Sequence, residues 1–120
     1  MKRFFMLFLF LFIGFNAFSQ TPDSLAIRKL IIKESQKGGK LDYFTRIKGK
    51  EKDGSQIKPG IYAQNIHIAW YYWAKANYVN GIKTFDEVIR IFKEWKEREP
   101  DRMELEHMKL GYADRDENKK

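Results

Sequence analysis

Between Ile61 and Asn80 the chain runs without a glycine or proline, and its apolar and aromatic side chains recur on every side of a helix rather than on one. Advancing about 100° per residue lines up Tyr62, Ile66, Ala69, Trp73 and Ala76 as a core-facing stripe. His67, Tyr71, Ala74 and Tyr78 fall on the opposite side. A helix that is apolar nearly all round belongs at the centre of whatever forms. The fold class that follows is mostly α, a small domain of three or four helices over residues 20–112.

The neighbouring segments read as the covering. Thr21-Pro22-Asp23 is a helix start, with Thr21 as cap and Pro22 pre-set for the first helical position. That helix is expected to reach about Lys37 and to stop at Gly38-Gly39. Residues 41–47 suit either a short strand or a helical turn. Lysines interleave with Gly49, Asp53-Gly54 and Pro59-Gly60 over residues 48–60, which predicts an exposed turn or a short β-hairpin near residues 41–58, centred on Asp53-Gly54. Thr84 with Glu87 three residues on is a capping-box signature. Phe85, Val88, Ile89, Phe92 and Trp95 then give an apolar face, and Glu99-Pro100 is expected to end a helix over 84–98. A last helix is expected over 101–110, with Asp101 as cap and Gly111 as stop, before a polar, disordered tail over 113–120.

Ahead of all this, Met1-Lys2-Arg3 precedes an apolar run from Phe4 to Phe15, with the small residues Ala17 and Ser19 two positions apart. That order is a secretory signal peptide over 1–19, cut between Ser19 and Gln20. The run is shorter than the roughly twenty residues a spanning helix needs, so no stable membrane span is expected after cleavage. A periplasmic or secreted location follows. Losing Lys2 and Arg3 leaves 21 of the 23 basic residues against 16 acidic ones, a net charge of +5. A basic surface favours an anionic neighbour, such as an envelope component or an acidic partner protein. Export also separates the chain from cellular nucleic acid, which is not an expected partner. Exported small domains often rely on disulfides, but this chain has no cysteine, so its stability has to come from packing.

Motifs for chemistry are sparse. Arg102-x4-His107 has the spacing of the catalytic pair in HEPN-type ribonucleases, where histidine moves a proton and arginine binds phosphate. Arg102 and His107 are therefore the candidate catalytic residues of a small hydrolase or nuclease-like effector, the second of two functional expectations. Glu104-x-x-His107 has a di-iron ligand spacing but lacks its second half, since Gln64 stands three residues before His67. Asp114-x-Asp116-x-Asn118 opens like a calcium loop but has Lys119 where the glycine belongs. No metal or cofactor is expected. Phosphate-loop, nucleophile-elbow and H-E-x-x-H patterns are absent, so the enzyme question leans towards no.

The first expectation is an exported binding protein that uses an aromatic and basic surface. Tyr43-Phe44 ahead of the lysine-rich loop, and the surplus of aromatics on the central helix, carry it. Part of the face with His67, Tyr71 and Tyr78 is expected to be exposed and to bind.

Overall fold

The computed structural model describes residues 22–114. The expected signal peptide, the expected Thr21 cap and residues 115–120 of the expected tail lie outside the described residues. Four helices and one hairpin follow in order: α1 (Pro22–Ser35), a turn-rich stretch with one 3-10 turn (Thr45–Ile47), β1 (Gly54–Lys58), β2 (Ile61–Gln64), α2 (Asn65–Val79), α3 (Phe85–Lys96) and α4 (Arg102–Ala113). The protein is thus mostly helical with a two-stranded antiparallel sheet.

The end of α1 is tied to the centre of the domain. Ser35 Oγ donates to the Ile31 carbonyl at 2.6 Å and accepts from Trp73 Nε1 at 2.8 Å, so the indole of a fully buried tryptophan is satisfied by the last residue of α1. The helix ends at Ser35, two residues short of the expected Lys37, and Gly38 sits in the turn that follows at a φ of 87°. Asp42 then fixes the following turn by accepting from the N–H groups of Gly38, Phe44 and Thr45 and from the Thr45 hydroxyl. Residues 41–47 therefore resolve into turns and the short 3-10 element, because one carboxylate gathers their donors as no strand ladder could.

The expectation of a helix from Ile61 is corrected. Ile61–Gln64 pairs as β2 with β1, in the register Gly54↔Gln64, Ser55↔Ala63, Gln56↔Tyr62 and Lys58↔Ile61, with an irregularity between Gln56 and Lys58. The hairpin turns at Pro59-Gly60, and Asp53-Gly54 lies at the start of β1 instead. Tyr62 leaves the core stripe and is 69% exposed. Helix α2 begins at Asn65 without a side-chain cap. Backbone carbonyls take that role: Asn65 N–H donates to Asp53 O at 2.8 Å and Ile66 N–H to Glu51 O at 3.0 Å.

Helix α2 is central as its composition demands, with Ile68, Ala69, Trp70, Tyr71, Trp73, Ala74 and Asn77 all buried. Helix α3 is capped by Thr84, which accepts from Glu87 N–H at 3.3 Å, and it buries Val88, Ile91 and Phe92. It ends at Lys96, earlier than expected, because Glu97 turns left-handed at φ 56° before Pro100 is reached. The reciprocal capping box occurs on α4: Glu104 N–H donates to Asp101 Oδ1 at 2.8 Å and Asp101 N–H to Glu104 Oε1 at 2.9 Å. Arg98 adds two bonds to Glu104, each 2.8 Å. Burial pushes the Glu104 carboxyl up, but these donors outweigh it and hold it below its ordinary value.

Gly111 does not stop α4. The helix continues to Ala113, and a Cβ at Gly111 would sit 2.0 Å from the carbonyl oxygen of Tyr71. The glycine lets α4 lie directly on the backbone of α2, a close approach that any other residue would prevent. Further along, Tyr112 donates from its hydroxyl to Ile82 O at 2.9 Å. The core assembled this way joins Ile31 of α1, Trp70 and Trp73 of α2, Val88, Ile91 and Phe92 of α3, and Met108 of α4.

Candidate functional site

The face of α2 expected to bind is half-buried at His67 and Tyr78, and the expected exposure of Tyr71 is corrected. Tyr71 is buried at 3% exposure, with its hydroxyl 2.6 Å from Asp114 Oδ2. Lys58 on β1 reaches the same carboxylate at 3.0 and 3.1 Å. Asp114, read from sequence as tail, is thus a buried anchor. Desolvation raises its pKa, and the Tyr71 and Lys58 donors more than offset that, so the carboxyl is held below its ordinary value. Tyr78 is half-buried with its ring edge-on to Tyr112 at 5.9 Å. His67 is half-buried and stacks on His107 at 4.9 Å between ring centroids, with 19° between the planes. Burial keeps His67 below its ordinary value and His107 adds to that, with Asp101 and Glu104 opposing. The physical reason for the correction is α4, which the glycine brings close enough to cover this side.

Arg102 and His107 are not brought together. Five residues along a helix is about 140° of rotation. Arg102 pairs with Glu106 at 3.2 Å, while His107 Nδ1 lies 2.9 Å from the Met103 carbonyl and its ring faces His67. Among the described residues no group of three or more His, Cys, Asp or Glu is placed to hold a metal ion, and no helix is long and apolar enough to cross a membrane.

A different part of the molecule combines open aromatic faces with unpaired charge. Where α1 ends, the 42–51 stretch and the last turn of α3 enclose a cleft of about 460 Å³, within the size range of small-molecule sites. Phe44 and Trp95 form its aromatic floor. The Phe44 ring lies 4.5 Å from Trp70 and 6.1 Å from Trp95, and Trp95 lies 5.4 Å from Trp73. The floor is therefore an outward extension of the core and inherits its rigidity. Lys37, Lys48 and Lys96 stand around it, all exposed, and none has a carboxylate within ion-pair distance among the described residues. Lys96 Nζ sits 4.4 Å above the Trp95 ring, a cation–π contact that poises the ammonium over the floor without neutralising it.

Two acidic groups also line the cleft, and local donors engage both. Asp42 accepts four bonds from residues 38–45. Burial raises its pKa, but the Thr45 hydroxyl and the N–H groups outweigh that and keep the carboxyl below its ordinary value. Glu51 accepts from Gly49 N–H at 2.9 Å. The three lysines against Asp42 and Glu51 give the lining a net charge of +1, and with both carboxylates engaged by local donors the lysines are the groups left to hold an anion beside a flat apolar surface. From sequence, Tyr43-Phe44 before the lysine loop pointed towards this region, but Trp95 read only as core. The signal that could have separated it was Lys96 directly after Trp95 at a helix end.

No family model, curated protein or solved structure matches the chain in comparisons with known proteins. Its function has to be argued from the site alone.

Proposed function

We propose that this chain is an exported binding protein that holds an anionic component of the cell envelope in the Phe44–Trp95 cleft. The observation that carries the reading is the set of three exposed lysines, unpaired among the described residues, around an aromatic floor anchored in the core. The floor would take a flat apolar face and the ammoniums an anionic group on the same molecule. The leader expected over 1–19 from the order of its charged, apolar and small residues supports a periplasmic or secreted location, and mass analysis of the exported chain should find Gln20 at its start.

Titration calorimetry of the mature protein against acidic and neutral sugars tests the reading. Acidic ligands should bind more weakly as salt rises, because exposed charges are screened. Charge reversal at the rim, Lys48→Glu with Lys96→Glu, should weaken binding by at least about tenfold, the factor of one lost charge-assisted bond. Equal binding by parent and double variant would remove the cleft from the function.

A further inference from the structure

The 41–47 stretch has a second groove on its other side. Its two consecutive rings diverge, with Phe44 packing towards Trp70 and Trp95 while Tyr43 lies 6.1 Å from Tyr72 with 32° between the planes. Beside the Tyr43–Tyr72 pair opens a groove of about 430 Å³ whose apolar wall includes Leu41 and Val79. Tyr72 is 41% exposed and Val79 66%. One cation stands over a groove ring, Arg46 at 5.3 Å above Tyr43, while Lys75 lines the groove with its ammonium 5.8 Å from the buried Tyr71 ring behind it. Neither Arg46 nor Lys75 has a carboxylate within ion-pair distance among the described residues.

We infer that the two grooves are subsites for one ligand, an acidic polysaccharide chain that crosses the 41–47 segment with Tyr72 and Lys75 holding its far units. The inference rests on the reading of the Phe44–Trp95 cleft as a binding site. The first lining is the more charged and the second the more apolar, but each pairs two aromatic rings with at least one lysine, and two such grooves of similar size on either side of one segment fit a ligand that repeats its own chemistry. A uronic acid unit offers a C–H face that lies on a tyrosine or tryptophan ring and a carboxylate that reaches an ammonium, while its remaining hydroxyls stay in water. Shallow, open ring faces suit that unit. An acidic peptide would instead need pockets for its side chains and partners for its backbone N–H and C=O groups. Crossing the segment makes the second contact intramolecular, so affinity rises with chain length without any stronger single contact.

The test is calorimetry of the mature protein with α-1,4-linked galacturonate oligomers of one to eight units, with poly-glutamate of matching charge as the peptide arm. Binding should tighten by at least about tenfold once the oligomer is long enough to reach both grooves, then level off. Tyr72→Ala, or Lys75→Glu as a second variant at a charged position, should bring the long oligomers down to the affinity that the short ones show for the parent. Affinity that stays flat with length, or a length gain that survives both variants, overturns the second subsite while leaving the first. Poly-glutamate that binds as tightly as the oligomers and loses as much at Tyr72→Ala overturns the polysaccharide assignment. Failure of every oligomer to bind the parent overturns the inference together with the cleft reading.

Discussion

The seam where α4 crosses α2 and the cleft beside Trp95 are built from the same materials, aromatic rings next to charged side chains, with opposite results. In the seam each charge meets a partner: Asp114 takes Lys58 and the Tyr71 hydroxyl, and Glu104 takes Arg98 and the backbone of Asp101. Backbones touch at Gly111, with no room for a methyl group. In the cleft the rings pack inwards on the core, and the lysines beside them have no carboxylate within ion-pair distance among the described residues. Saturated polar groups under tight packing serve cohesion, because an orphaned one would cost its full desolvation. Charges left unpaired in water contribute little to the fold, so they are free to serve recognition.

The sharpest way to break this contrast is at Gly111. Gly111→Val puts a branched side chain where a single Cβ already lies 2.0 Å from the Tyr71 carbonyl. The two helices then have to separate, and the expected loss is on the order of 3 kcal/mol or more, at the upper end of overpacking effects. Urea denaturation measures it. A valine variant within about 0.5 kcal/mol of the parent would show that α4 slides freely, and the seam would cease to be the rigid half of the comparison.

A smaller effect is expected at Asp114. Asp114→Asn keeps the shape but removes the charge that Lys58 and Tyr71 serve, at a cost of about 1–3 kcal/mol. The lower part of that range is favoured because Lys58 is 33% exposed, which screens its share. The same group sets an acid limit. Asp114 and Asp42 sit below the ordinary aspartate value of 3.8 and Glu104 below the ordinary glutamate value of 4.5, so the unfolded chain takes up protons first. Their contribution is complete above those values and is lost as pH falls through the lower folded ones. His67, held below 6.5, adds a milder loss that begins as pH drops under that value. Stability followed from pH 7 to pH 2 should fall first through His67, then through Glu104 and last through the two aspartates, and Asp114→Asn should flatten the acid limb. An unchanged limb would mean that Asp114 is not anchoring α4.

Legibility in the sequence follows the same division. Helix α3 is readable because one face alone is buried: Thr84 marks its start, and Val88 and Phe92 keep helical spacing. The central position of α2 is readable from its all-round apolar character. Its first turn is not, because Ile61–Gln64 is as apolar as the helix and contains no breaker, and only pairing with β1 assigns it to a strand. The cover over Tyr71 is invisible for a related reason. A glycine near a helix end reads as a stop, whereas Gly111 is a point of close approach whose meaning depends on a helix forty residues away in the chain. The stacked histidines and the Asp114 anchor share that dependence. The cleft was half legible: Tyr43-Phe44 and the lysines are local, but Trp95 joins them only when α3 ends beside the 41–47 stretch.

The smallest expected effect on stability is the most informative about function. Lys48→Glu with Lys96→Glu changes two exposed side chains that hold no ion pair among the described residues, so the denaturation midpoint should stay within about 0.5 kcal/mol of the parent. Lys96 lies in the last turn of α3, where a cation complements the helix dipole, and its reversal accounts for most of that small loss. Its cation–π contact with Trp95 is solvent-exposed and adds little more. Thr84→Ala, which removes a true cap on the same helix, serves as the yardstick at about 1 kcal/mol. If the double variant falls below that yardstick in cost while losing its acidic ligand, then stability and recognition reside in different residues, as the comparison holds. If it costs more than the cap, the lysines are part of the fold's own electrostatics, and the cleft becomes a second structural region of the same kind as the seam.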